Sequence, residues 1–426
     1  MKFKVFHGWW IVLSGMMLSA YYSAILGYGW TGFVTPIIAT FGWSLTEVSF
    51  ASSLRSMEAG VFNPIWGAAV DRWSPGKLMV LGVFCTGLGM LCLSLTRNLA
   101  MYYGGFLAVG VGSSLVTSIL PIAVISRWFK KGIGRASGVF YLGPGIGGAL
   151  VPLVVKLIDS IGWQKTLLYT TFGFMALGIP LSLVFRGRPE DYEPVPDGRE
   201  VAPAGVSRHR RVAEVSASVS EALRTRVFWT VGFSIFFHFI AASTLNLYVV
   251  PYLTSLGISR LTASTVVALY NMVSLFTRIL MGLLADYFRN SYIMALGQAL
   301  QSAGLIMLWL ISGTSPYTLI LLFGIVYGLG LGGASPLRAT IIAEYFGTKK
   351  FGTIFGLSMV FMTVGSVVSP PLAGWLIDTY HDYKFWWLIT IVANLVCVAM
   401  VLTMPAPGKK PVAVKEPAVT EKTEGN

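Results

Sequence analysis

The sequence predicts an all-α membrane protein, and three observations carry that prediction. Of 426 residues, 55% are hydrophobic and only 12% are charged, with a mean hydropathy of +0.70; soluble domains carry roughly 25% charge. The apolar residues fall into runs of about 20, the length that crosses a hydrocarbon core as a helix. The runs are unbroken rather than alternating, which excludes a barrel.

Taken in order, the runs predict spans at 9–34, 45–70, 77–95, 99–126, 135–158 and 165–185, then 227–255, 261–285, 291–311, 317–343, 352–377 and 385–404. Twelve spans put both termini on one side. If that side is cytoplasmic, only Arg97, Lys156, Lys165, Arg260 and Lys384 lie at outer ends. Inside lie Lys2, Lys4, Arg72, Lys77, Arg127, Lys130, Lys131, Arg135, Arg289, Lys349, Lys350 and the bases of the central loop and tail. This is the positive-inside pattern of a multi-pass protein of the inner (plasma) membrane. It accounts for the net charge of +13 without a nucleic-acid partner.

Four segments follow. Residues 1–186 form an N-terminal six-helix bundle and 226–407 a C-terminal one. Between them, 187–225 opens GRPEDYEPVPDG and then sets Val212, Val215, Val219 and Leu223 at helical spacing beside Arg208, Arg210 and Arg211. That pattern predicts an amphipathic helix at the cytoplasmic interface, with a plain solvated linker as the alternative. Residues 408–426 are polar and Pro-containing and read as a disordered tail. Cys85, Cys92 and Cys397 lie within apolar runs as small hydrophobes, with no disulfide or metal spacing. The first run is too long for a signal peptide core and reads as a retained span. Gly143-Pro144-Gly145 and Gly147-Gly148 lie inside an apolar span, lacking the strand and the Lys-Ser/Thr of a nucleotide loop. No cofactor is expected, and no trio of nucleophile, base and acid suggests an enzyme.

The two halves repeat. Gly67 and Asp71 end span 2 as Gly282 and Asp286 end span 8, at one common offset; Gly138 and Pro152 recur as Gly356 and Pro370. Two like bundles with a site between them can rock about that site, the mechanical basis of alternating access.

The motif GAAVDRWSPGK at 67–77, set in this six-plus-six plan, resembles the loop 2–3 signature of the major facilitator superfamily, with a WSP insertion where that family has a single residue and Gly. His7-Gly8-Trp9-Trp10 resembles the N-terminal motif of its monocarboxylate transporters and oxalate–formate antiporters. Trp128-Phe129-Lys130-Lys131 with Ala136, Gly138, Gly143, Gly145 and Gly147 resembles their span 4–5 motif. The resemblance implies a major facilitator fold, a functional monomer and transport of a small organic anion. It also implies a substrate-binding arginine at Arg278, and a gate built on Asp71 and Asp286 with Arg72. Many members carry an acid four residues before that arginine, where this chain has Ser274.

Arg278 is the principal candidate on its own residue chemistry. It sits ~12 Å from the cytoplasmic end of span 8, where an arginine costs ~2.5–3.5 kcal/mol and must face a cavity or partner. Its helical neighbours Ser274 and Gly282 are uncharged, so a substrate carboxylate can supply the charge; a structural pair with Glu58 is the bland reading. Arg55 and Glu58, three residues apart, are expected to pair, with Glu58 and His238 as candidate proton carriers. Arg338 and Glu344 belong to the inner gate. Tyr28, Ser118, Tyr141, Asn246, Tyr327 and Phe361 are expected to line the cavity with Ser274. If Glu58 neutralises Arg55, and span 11 is uncharged from 352 to 377, the cavity holds one free cation. The expectation is then a monocarboxylate such as lactate, pyruvate or acetate, moving with a proton. The alternatives are oxalate/formate-type exchange and export of neutral or cationic compounds.

Overall fold

The computed structural model describes residues 6–129, 133–186, 218–284, 287–333, 337–347 and 350–405. Among them every predicted span is helical and no strand occurs. In the first half the helices run His7–Phe41, Leu45–Arg72, Pro75–Ser94, Leu99–Trp128, Arg135–Ile161 and Trp163–Ser182. In the second they run Arg226–Ser255, Arg260–Leu284, Asn290–Leu310, Tyr317–Gly333 followed by Leu337–Phe346, Phe351–Tyr380 and Tyr383–Leu402. Eight of the described helices are long and apolar enough to cross a membrane on length and composition alone. Spans 2 and 8 are long but carry Arg55, Glu58 and Arg278, and the Tyr317–Gly333 segment of span 10 has only 17 residues.

The main departure from the expected boundaries is span 1, which continues to Phe41 because it is broken rather than ended. A π-helical turn at Ser23–Gly27 leads into irregular backbone at Tyr28–Trp30, and a new helix starts at Thr31. Gly29 makes this possible: a Cβ there would lie 1.8 Å from the Ala24 carbonyl oxygen. Span 4 carries a second π turn at Leu115–Ile119. Such turns interrupt the regular backbone bonding and recur at functional sites. Small residues set the helix spacing elsewhere: Gly304 packs on the Tyr327 backbone and Gly330 on that of Gln301.

The halves meet through span 2 on span 11, span 5 on span 8, and span 1 on span 7. The end of the bundle where spans 1 and 7 begin carries most of the basic residues and is called the basic end. At the opposite end the halves are tied directly. Asp378, closing span 11, accepts from the Leu45 and Thr46 backbone N–H groups (3.1 and 2.8 Å) and from Thr46 Oγ1. It thereby satisfies the exposed donors of the span 2 N-terminus. Asp159, closing span 5, pairs with Arg260 at the start of span 8, and Arg260 Nη2 also donates to the Gly32 carbonyl at 2.6 Å. Each half thus sends an aspartate across to the first turn of the other half's second helix. Thr31 Oγ1 adds a bond to the Leu247 carbonyl (3.1 Å), beside Tyr248 Oη donating to the Pro370 carbonyl (2.6 Å).

Of the predicted linker helix, Val219–Leu223 is observed, started by a reciprocal Ser218–Glu221 cap. The Ser218 N–H holds the Glu221 carboxyl below the ordinary carboxylate range. Val212, Val215 and the expected tail lie outside the described residues.

Two outcomes follow. Gly29→Ala should lower stability by about 1–3 kcal/mol through overpacking, read as a fall in melting temperature of the purified protein. Combining Asp378→Ala with Arg260→Gln should lengthen the distance between spin labels placed at the exposed Gln164 and Thr314; an unchanged distribution would show that these ties do not hold the opposite end shut.

Candidate functional site: a cavity between the halves

A cavity of about 230 Å³ lies between the bundles, beneath the closed end. Its first-half wall is Gly27, Tyr28, Trp30, Ser52, Arg55 and Ser56; its second-half wall includes Phe239, Ser243, Asn246, Ser366 and Pro370. It lies below the ~300 Å³ of a drug-sized ligand's pocket and suits a compact solute. The lining mixes aromatic faces, hydroxyls, one amide and one guanidinium.

The break in span 1 positions that guanidinium. Arg55 Nη1 donates to the Leu26 carbonyl, in the π turn, at 2.5 Å. The expected Arg55–Glu58 pair is not formed, which corrects the sequence expectation. Helical spacing puts the two side chains on one face, but the freed Leu26 oxygen draws the arginine toward span 1. Glu58 instead folds over Gly110 of span 4, where a Cβ would fall 1.6 Å from its Oε2. That oxygen is buried and has no partner among the described residues.

Nearer the basic end is a second basic group. Arg278 is half-buried in span 8, and its Nε has no partner among the described residues; the alternative pairing with Glu58 is not formed. It lies within electrostatic reach of Tyr141 on span 5, His238 on span 7 and Arg338 on span 10. Arg338 is buried with its Cζ 4.9 Å from the Phe239 ring centre, and its Nη2 has no partner. It forms no ion pair with Glu344 and lies within electrostatic reach of Arg278 and His238. His238 is buried and its Nδ1 is unpartnered.

The other candidates divide. Tyr28 and Asn246 line the cavity, as does Arg55. Asn246 Oδ1 accepts from Tyr270 Oη at 2.8 Å; Tyr270 stacks edge-on to Tyr327, whose hydroxyl accepts from Gln301 Nε2 at 3.3 Å. Tyr327 therefore stands one layer behind the cavity. Ser274 turns its hydroxyl to the Asn271 carbonyl and packs its backbone on Gly332, away from the lining. Phe361 packs among Phe228, Trp229 and Phe233 over Gly232, toward the basic end. Arg72 is exposed. The side chains of Ser118 and Asp71, and all of Asp286, lie outside the described residues.

The family model of the Major Facilitator Superfamily matches residues 17–248 and 231–424. The chain belongs to the Major Facilitator Superfamily. The chain is 24% identical over 422 residues to monocarboxylate transporter 13 of Bos taurus, covering 95% of this chain and 92% of that one. It is 22% identical to monocarboxylate transporter 2 of Mus musculus, covering 91% and 82%. An agnestins efflux protein of Paecilomyces divaricatus is 26% identical over 74% of this chain and 68% of its own. Among solved structures, the nucleoside transporter NupG superposes with a TM-score of 0.73 at 14% identity, over 92% of this chain and 99% of its own. A bacterial homolog of the human lysosomal transporter Spinster, inward-facing and unoccupied, gives 0.70 at 14%, over 93% and 94%. The chain is accordingly a multi-pass membrane transporter of this superfamily rather than an enzyme, and relatives named monocarboxylate transporters accord with the His7–Trp10 and Trp128–Lys131 motifs.

Sequence reasoning passed over Tyr270, Gln298 and Gln301. Tyr270 stands at the offset of Asp71 and Asp286 from Arg55, so the repeat itself pointed to it. Gln298 and Gln301 interrupt an apolar span, and Gln298 Nε2 donates to Ser234 Oγ at 2.5 Å. Tyr270→Phe should weaken solute binding about fivefold, the ~1 kcal/mol of one lost hydrogen bond, with the fold intact; calorimetry on the purified transporter checks this.

Proposed function

We propose that this superfamily member is a secondary transporter of a small organic anion, most simply a monocarboxylate such as lactate, pyruvate or acetate, moved with a proton by alternating access. The observation that carries this is Arg278: a guanidinium within a membrane span, facing the other half, with no carboxylate partner among the described residues. Burying it alone is unfavourable, and a bidentate carboxylate supplies both charge and acceptors. The names of two relatives, monocarboxylate transporters 13 and 2, support the same cargo class.

The opposite end, tied by Asp378 and by Asp159–Arg260, is the outer face in this reading, and the basic end is cytoplasmic with both termini. The anion enters the cavity from the cytoplasmic side, reaches Arg278 and lowers the energy of the closed arrangement; breaking the outer ties then exposes it to the other side. Glu58, its Oε2 buried over Gly110 and its Cα one helical turn from Arg55, is the proton carrier. His238 is the alternative, beside Arg338 and Arg278. The transporter works as a monomer.

Export of larger neutral or cationic compounds is less well supported. The fungal efflux relative favours it, whereas the small cavity with its arginine favours a compact anion.

Arg278→Gln should abolish carboxylate uptake into proteoliposomes, at least a hundredfold, while the protein still inserts and melts cooperatively; retained uptake would remove Arg278 from the site. An imposed pH gradient without internal substrate should drive accumulation in the wild type and fail to do so in Glu58→Gln, with anion exchange preserved. Equal accumulation in both would exclude Glu58 as the carrier.

A further inference from the structure

Arg55 has no role in the reading above beyond neighbouring Glu58, yet it is the cation that lines the cavity. Only its Nη1 is engaged, by the Leu26 carbonyl. Its Nε and Nη2 have no protein partner among the described residues, and they are absent from the buried unpartnered atoms; the edge that grips a carboxylate through two parallel bonds is therefore open to the cavity. Around it stand Tyr28, Ser52, Ser366 and the amide of Asn246, with Ser56 and Ser243, whose hydroxyls already donate to the Ser52 and Phe239 carbonyls.

Arg55 and Arg278 are on opposite halves and at different depths. Along their helices Arg55 lies ~15 Å below the start of span 2, and Arg278 ~27 Å below the start of span 8. Since spans 2 and 8 begin at the same closed end, the two guanidiniums are offset by ~12 Å along the bundle axis. One carboxylate cannot engage both. The charge balance points the same way: Arg55, Arg278 and Arg338 lie within the spans, Glu58 is the acid at comparable depth, and none of the three pairs with it.

We propose that Arg55 is a second carboxylate-binding site, separate from Arg278, at the blind end of the cavity against the outer ties. The π turn of span 1 builds it by releasing the Leu26 carbonyl that orients the guanidinium, and Gly29 permits the turn. Its occupant is a carboxylate of an organic anion, with hydroxyl donors around it to cover the oxygens that the arginine leaves free. Two sources fit one chemistry: the far end of a dicarboxylate whose near end is on Arg278, or a second monocarboxylate. The proposal rests on the anion-transport reading for the place of Arg278, but not for that of Arg55.

Calorimetric titration of the purified wild type with pyruvate and with glutarate, repeated on Arg55→Gln, Arg55→Lys and Arg278→Gln, tests it. If a second monocarboxylate is the source, the wild type binds two pyruvates and Arg55→Gln binds one. If a dicarboxylate is the source, the wild type binds one glutarate at least tenfold tighter than pyruvate, and Arg55→Gln removes that preference while keeping pyruvate binding. Arg55→Lys retains part of either effect. The wild type alone overturns the proposal if it binds one pyruvate and shows no preference for glutarate, whether or not the variants fold. So does Arg55→Gln if stoichiometry and preference are unchanged. A lowered melting temperature with both unchanged would mean that Arg55 only clamps the broken helix. If instead Arg278→Gln binds as the wild type does while Arg55→Gln loses its site, the role given to Arg278 fails and that of Arg55 stands.

Discussion

Positive charge held within the spans without an acidic partner among the described residues governs this protein. An arginine within a membrane span is tolerated when a carboxylate, a carbonyl or water satisfies it. Arg55 has one carbonyl, Arg338 has the face of Phe239, and Arg278 has no bonding partner among the described residues. Around them the walls are tied by buried amides and tyrosines, notably Asn246–Tyr270 and Gln301–Tyr327. In the proposed reading, a solute that brings negative charge completes the arrangement.

The same helices that carry the arginines also close the end opposite the basic one. Span 2 bears Arg55 and offers its N-terminal N–H groups to Asp378; span 8 bears Arg278 and offers Arg260 to Asp159. Charge at mid-depth and closure at the end are therefore mechanically joined through two rigid rods. The repeat places these rods at equivalent positions in the two halves, so under the proposed alternating access a tilt of one half against the other would shift both arginines relative to the facing wall and break both ties. The joining is of the kind alternating access requires.

The helices were legible in the sequence because a hydrocarbon solvent imposes a length and a composition that few other constraints imitate. The repeat was legible because glycine, aspartate and proline stand at matching offsets. The partners of the charged side chains were less so. Arg55 and Glu58 satisfy the local rule for an ion pair, but that rule knows nothing of a carbonyl released on another helix or of a glycine on a third. The break in span 1 at Gly27-Tyr28-Gly29 was not read from the sequence, because only the assembled bundle shows which oxygen it frees and which side chain takes it. Ser274 and Phe361 failed to reach the cavity for a related reason: depth was readable from position along a span, but the direction each side chain faces was set by neighbours such as Gly332 and Trp229.

The most direct test of the account asks whether the buried arginines wait for charge. Melting of the purified transporter should be followed against pyruvate and against its uncharged amide, pyruvamide, at matched concentrations. Binding to the folded state alone raises stability as RT ln(1 + [L]/Kd), about 2.7 kcal/mol at a hundredfold excess over Kd. Pyruvate should raise the melting temperature and pyruvamide should leave it unchanged. Equal stabilisation by both, or stabilisation by the amide alone, would contradict the account.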